Sequence, residues 1–441
     1  MRNRSAHCAF AFGVIAIGAA LIGDTMGYAQ LGTNQKSVQN APTPQILWRA
    51  EVGRQPIDIK AGDITGDGKP DVVIAYSVGT NPGSSIVAID NAGQILWRFA
   101  TETQAAVWNV AIGDIDGDGI NDVAGYESQL PSFLYAIKND GTLLWKFQLP
   151  RTGSGNEVGD HVKIADVTGD GRNEVIVGAP GASAVYVFNK DGVVVQSYSV
   201  PATGVASIPF IEVADLSGDG INDILISYGF RCPPCGIRVM DSSGNLLWDF
   251  PHAVRLGGVA VGDINNDGKP EVIASEFFGS KVIAISNSGN LLWSLPLEGD
   301  TTAVALGILK EEGPPHILAG SGGRVNLIDT DGKLVWTLDA NANVYKVSFG
   351  QLTGRGKKEI AAATTSGDFG DMGGVLFLDS QGKVKRFLAG EQGRFSENIG
   401  FRDLVVADVD GDGIDEVVAI SSHEGDEGFA SAVQMPGKKK D

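Results

Sequence analysis

The stretch AIGDIDGDGINDVAGY, residues 111–126, places four carboxylates, Asp114, Asp116, Asp118 and Asp122, within nine residues. Like charges this close repel and favour the unfolded chain. Both flanks are apolar and suit burial in short strands. The stretch therefore needs a counter-charge and a tight turn between two strands.

The chain writes the same line repeatedly. AGDITGDGKPDVVIA (61–75), IADVTGDGRNEVIVG (164–178), VADLSGDGINDILIS (213–227), VGDINNDGKPEVIAS (261–275) and VADVDGDGIDEVVAI (406–420) align with it without gaps. Two further copies have lost acids: LGILKEEGPPHILAG (306–320) and FGQLTGRGKKEIAAA (349–363). Between them runs a second line, as in VAIDNAGQILWRF (87–99), YAIKNDGTLLWKF (135–147) and NLIDTDGKLVWTL (326–338). Each is an apolar strand, a short Asp/Asn/Ser–Gly turn and another apolar strand, which is hairpin grammar.

One acidic line plus one hairpin makes four short antiparallel strands, the content of a propeller blade. Eight acidic-type lines predict an all-β, eight-bladed β-propeller, with seven blades as the alternative if one degenerate copy is only a long loop. The eighth line is followed by FASAVQM (429–435) but by no LLW line, while QILWRAEV (45–52) stands alone before the first. A ring closed by its N-terminal strand accounts for both, and closure removes open sheet edges.

The acids follow the spacing D-x-[DTSN]-x-D-G-x-x-[DE]. Hard divalent cations take several oxygen ligands together, and a glycine at position 6 permits the sharp turn that lets them converge. The candidate ligands at positions 1, 3, 5 and 9 are Asp63, Thr65, Asp67 and Asp71; Asp114, Asp116, Asp118 and Asp122; Asp166, Thr168, Asp170 and Glu174; Asp215, Ser217, Asp219 and Asp223; Asp263, Asn265, Asp267 and Glu271; and Asp408, Asp410, Asp412 and Glu416. An EF-hand would need a glutamate at position 12 and flanking helices; position 12 here is Ile74, Gly125, Val177, Ile226, Ala274 or Ala419. Plain polar turns explain one or two acids per loop, not three or four. The expectation is about six Ca2+ sites, by the count of loops that keep their acids. In the degenerate copies Ile308, Lys310 and Arg355 replace ligands, so those two loops are expected to be metal-free.

These lines resemble FG-GAP repeats, also called VCBS-type repeats, which form the blades of integrin alpha-chain-like propellers. The resemblance covers roughly residues 45–435 and implies calcium held by loop oxygens at positions 1, 3, 5, 7 and 9. The G-x-L-L-W-x-F lines are similar to those of quinoprotein-like propellers, where such tryptophans pack one blade against the next; nothing in the chain specifies a quinone pocket.

The formal net charge is −19 over 441 residues. That argues against a nucleic-acid partner, which requires clustered cations, and six calcium ions would offset most of it. Arg2 and Arg4 precede an apolar run from Ala9 to Ile22, with small residues Gly27 and Ala29 beyond it. This reads as a signal peptide over 1–29, too short to span a membrane comfortably. A linker (30–44), the propeller (45–435) and a disordered tail (436–441) follow, with no later membrane span. A secreted or periplasmic monomer is expected. Oxidising conditions then favour a Cys232–Cys235 disulfide in GFRCPPCGIR, over a redox motif or a zinc site.

The face opposite the acidic loops carries the connections between second and third strands and those between blades, which vary in length and suit binding. His161 with Asp160, His252 with Arg255 and His423 with Glu424 are acid/base candidates there, but no nucleophile elbow, H-E-x-x-H or phosphate loop appears. No catalytic residue is assigned. The expected function is a calcium-binding scaffold that holds a protein or polysaccharide without chemistry. The alternative is a carbohydrate-active enzyme such as a polysaccharide lyase.

Overall fold

Strand burial follows the apolar pattern of each repeat. Second strands such as Asp71–Tyr76 and third strands such as Ile86–Ile89 are buried at every residue. Fourth strands such as Ile95–Phe99 are half exposed and lie at the rim. First strands such as Pro56–Gly62 are mixed and lie inside. In a computed structural model of the chain, thirty-two strands form eight four-stranded antiparallel sheets. The described residues are 43–76, 85–102, 106–127, 131–150, 162–179, 183–201, 208–229, 233–310, 313–340, 342–354, 356–365, 373–389, 401–421 and 427–435. Among them there is no helix, and hence none long and apolar enough to cross a membrane.

Blades 1 to 7 span 56–99, 107–148, 162–199, 210–252, 256–296, 301–339 and 343–389, each in sequential strand order. Blade 8 takes three strands from the C-terminal end, and Gln45–Arg54 completes it outside Glu427–Gln434. Ile46 pairs with Val433 and Ala50 with Ala430. Both degenerate copies build complete blades, so the ring has eight and the seven-bladed alternative falls away.

The core lies between blades. One cluster joins Val73, Ala75, Ile86 and Ala88 of blade 1 to Val110, Val123, Tyr135 and Ile137 of blade 2. At the rim, each fourth-strand tryptophan reaches into the next blade. Trp97 Nε1 donates to Asn139 O at 2.8 Å, Trp248 to Asn287 O at 2.7 Å and Trp293 to Thr330 O at 2.9 Å. The turn glycine of that next blade sits on the indole: a Cβ on Gly141, at φ +86°, would lie 2.7 Å from Trp97. Trp48, Trp145 and Trp336 repeat the arrangement. Blades 3 and 7 lack the tryptophan, and in blade 3 Gln196 Nε2 donates to Ser242 O instead.

Inner strands also carry charge toward the axis. Lys163 of blade 3 pairs with Glu212 of blade 4 at 2.9 Å, and Lys346 of blade 7 with Asp403 of blade 8 at 3.5 Å. Asp58 of blade 1 holds Lys60 and accepts Val110 N of blade 2 at 2.9 Å. The charges balance and link neighbouring blades.

Candidate metal centres and the opposite face

All six acidic loops have one geometry. The position-1 carboxylate accepts the N–H of the position-6 glycine, from Gly68 on Asp63 at 2.8 Å to Gly413 on Asp408 at 2.9 Å. The same bond is 3.0 Å in blade 2, 2.8 Å in blade 3 and 2.9 Å in blades 4 and 5. The position-5 carboxylate caps the position-7 N–H at 2.8–2.9 Å, as Asp118 does Ile120. Position 6 is left-handed throughout, with φ between +82° and +90°. Position 4 is left-handed too, as Gly in five loops and as Asn266 in blade 5. Of these two left-handed positions, the sequence pattern alone had pointed to position 6.

Position 9 is the buried corner of each loop. Asp71, Asp122, Glu174, Asp223, Glu271 and Glu416 are at most 3 % exposed. Each accepts a backbone N–H from position 2 or 3, such as Ile115 N on Asp122 at 3.1 Å and Val409 N on Glu416 at 3.0 Å. In blades 1 and 2 the hairpin turn adds another N–H, from Asn91 to Asp71 at 3.2 Å and from Asn139 to Asp122 at 3.0 Å. The acidic loops and glycine turns therefore share one face of the ring. Asn121, Asn173 and Asn222 at position 8 donate to the position-1 carbonyl of the preceding blade at 2.9–3.0 Å, which sets the loops edge to edge.

Three carboxylate oxygens lie within 4.8 Å of one another in blade 2 (Asp114, Asp116, Asp122) and in blade 8 (Asp408, Asp410, Glu416). These are the two loops with an acid at position 3; the others place Thr65, Thr168, Ser217 or Asn265 there. An all-oxygen donor set on a tight loop fits a hard divalent cation. In the degenerate copies Lys310 of blade 6 bridges by its backbone to Lys357 of blade 7. Gln351 N donates to Asp415 Oδ2 at 2.6 Å. Arg355 lies outside the described residues.

Burial raises the pKa of all six position-9 acids, with the charge of Asp410 adding to the effect at Glu416, which is pushed up to about 7. At position 1 of blade 5 the Gly268 N–H, with those of Asn266 and Asp267, holds Asp263 below the usual range. A carboxyl whose folded pKa exceeds its unfolded value binds protons preferentially in the native state. Its penalty is complete above the folded pKa and fades as pH falls toward the unfolded value. Metal-free protein should therefore gain stability from pH 7.5 to 5.5, with Tm rising on the order of 5 °C. Calcium-loaded protein should lose stability over the same interval, because protons compete with the metal. Thermal melts at both pH values, with and without chelator, check this.

The opposite face shows a cluster at blades 4 and 5. His252 ends the fourth strand of blade 4, and its Nε2 lies 2.7 Å from Oε1 of Glu276, which is 2 % exposed. Sequence adjacency paired His252 with Arg255; the fold brings in Glu276, 24 residues on. Phe250 stacks on His252 at 5.9 Å. The Arg255 guanidinium lies over Phe277 at 5.3 Å, and Phe277 meets Phe278 edge-on at 4.7 Å. Phe278 is 65 % exposed. Cys235, paired with His252 across the strand ladder, is disulfide-bonded. Cys232, residues 1–29 where a signal peptide is expected, residues 436–441, and Asp160, His161, His423 and Glu424 lie outside the described residues.

The model of the FG-GAP-like repeat family matches residues 63–125 and 166–226. No curated protein matches. Among solved structures, Chaetomium thermophilum Sqt1 bound to the N-terminus of ribosomal protein L10 aligns at TM-score 0.62 and 14 % identity, over 89 % of this chain and 100 % of that one. The V. cholerae biofilm matrix protein Bap1 aligns at 0.57 and 16 %, over 90 % and 91 %. A Bacillus licheniformis rhamnogalacturonan lyase aligns at 0.51 and 15 %, over 90 % and 91 %. At these identities the likeness is one of fold. With eight four-stranded blades and the acidic lines matched in two places, the chain is an FG-GAP-repeat β-propeller protein.

Proposed function

We propose that this chain is an exported, monomeric calcium-binding propeller that uses the face opposite its metal loops to hold a protein or polysaccharide without transforming it. Calcium at the six acidic loops would set the blades edge to edge and leave the other face as a rigid platform. The observation that carries the binding role is Phe278, 65 % exposed yet braced by Phe277 under the Arg255 guanidinium. An exposed ring fixed by its neighbours, with an arginine beside it, is the chemistry of a binding hot spot and of sugar stacking. Sqt1 and Bap1, with a protein partner and a matrix role in their names, lend the reading support by analogy of fold.

The second reading, a polysaccharide lyase, is favoured by the His252–Glu276 pair. A buried carboxylate that fixes one ring nitrogen orients an imidazole for proton transfer. The mature, calcium-loaded protein should be incubated with neutral and acidic polysaccharides while retention and unsaturated or reducing ends are followed together. Retention without product, cut about tenfold or more by Phe278→Ala, is expected. Product release abolished by His252→Ala would establish the lyase instead. If neither appears, a pull-down with calcium present seeks the protein ligand.

A further inference from the structure

Two loops carry an acid at every ligand position, Asp114/Asp116/Asp118/Asp122 in blade 2 and Asp408/Asp410/Asp412/Glu416 in blade 8, yet the side chains hydrogen-bonded to their carboxylates differ in charge. In blade 8 the side chain on the carboxylates is the neutral Gln434, its Nε2 3.0 Å from Glu416 Oε1 and 3.4 Å from Asp412 Oδ2, while Lys69 of blade 1 donates to the backbone carbonyl of Asp410 at 2.7 Å. In blade 2 the visitor is Lys138, its Nζ against Asp116 Oδ2 and 2.8 Å from Asp118 Oδ2.

Lys138 also breaks a pattern. It opens the hairpin turn closed by Lys138 N on Thr142 O and Gly141 N on Lys138 O. The same turn position holds Asp90, Asn189, Asp241, Ser286, Asp329 and Asp379 in the other turns of this kind. There the side-chain oxygen accepts the N–H four residues on, at 2.7–3.1 Å. Lysine has no acceptor to offer. The blade-2 turn is capped instead by Asp140, which accepts Thr142 N at 2.9 Å. Blade 2 thus replaces a capping side chain with a cation directed at the acidic loop, and among the described residues no other turn of this kind does so.

An ammonium at hydrogen-bond distance occupies the same oxygens that a divalent cation would ligate at about 2.3–2.6 Å. The two positive charges repel, so the metal must displace the lysine. We propose that Lys138 is the resident counter-cation of the blade-2 loop, so that this loop binds calcium more weakly than the blade-8 loop despite an equivalent set of acids. The inference rests on the reading of the loops as calcium sites. It makes the sites graded: blade 8 fills first, and blade 2 fills by expelling its own ammonium.

Calcium titration of the whole chain against a chromogenic chelator tests this, using wild type, Lys138→Gln, Asp118→Ala and Asp412→Ala. Lys138→Gln copies the group found in blade 8. It should tighten one site by about tenfold or more, and Asp118→Ala placed on top should remove that gain. Asp412→Ala should remove a tight step from wild type, where Asp118→Ala removes a weak one. Melting the metal-free proteins separates a merely structural lysine, which would lower Tm on replacement and leave every affinity unchanged. Affinities within twofold of wild type in Lys138→Gln, or a wild-type tight step that disappears with Asp118→Ala, overturn the role of Lys138 alone. Absence of calcium binding in wild type and Lys138→Gln alike overturns the calcium reading itself.

Discussion

Removing calcium with a chelator at pH 7.5 is expected to lower Tm by about 10 °C or more. A ligand that binds only the native state stabilises it by about 2.7 kcal/mol per site at a hundredfold excess over Kd. Two saturated all-acid loops would contribute about 5 kcal/mol, before any share from the four loops with Thr, Ser or Asn at position 3. The loops have the matching liability. Each buries a position-9 carboxylate among other acids, and burial already raises its pKa. Without metal that charge is costly at neutral pH. Magnesium should restore less, since it demands a smaller octahedral shell and gives up water reluctantly. A melting curve unchanged by chelator would mean that the backbone N–H groups alone satisfy these carboxylates.

Trp48→Ala is expected to cost about 3 kcal/mol and to promote association through the opened seam. Trp48 lies in Gln45–Arg54, the strand that closes the ring without chain continuity to the rest of blade 8. Its Nε1 donates to Asn91 O of blade 1 at 3.1 Å, and Gly93 packs on its ring. The indole braces the closing strand on blade 1, while that strand's hold on the rest of blade 8 is strand pairing without chain continuity; removing the indole leaves the strand freer to part from blade 8. Release of the strand exposes the edge of Glu427–Gln434, a template for pairing with another chain. Trp248→Ala removes a comparable contact between covalently continuous blades. It should lower Tm by a similar amount while the protein stays monomeric. Size-exclusion chromatography and melting of the two variants side by side check this. Equal association of both, or of neither, would mean that the closing strand is not the weak point.

The sequence carried the blade plan because each blade repeats two informative lines, and because burial of second and third strands forces continuous apolar runs. Closure was legible from one orphan strand at 45–52 and one missing at the end. The six acidic loops were legible because their carboxylates recur at one fixed spacing. Pairings across the ring were not. His252 and Glu276 belong to different blades, and nothing in either local sequence points to the other. The same holds for Lys346 and Asp403, which meet only because inner strands converge on the axis. Lys138 was passed over because hairpin turns tolerate lysine at the surface. Its meaning emerges only beside Asp90, Asn189 and Asp241 in the equivalent turns. The second left-handed position of the loops was missed because the usual glycine signal at position 4 is replaced by Asn266 in blade 5.

The most direct test of the account is the number of calcium ions the folded protein holds. Protein stripped of metal, then equilibrated by dialysis against calcium at pH 7.5, should retain about six ions per chain, with the count falling by one in Asp408→Ala, following one ion per acidic loop. Retention of no calcium, or a count unmoved by Asp408→Ala, would contradict the assignment of the acidic loops as metal centres.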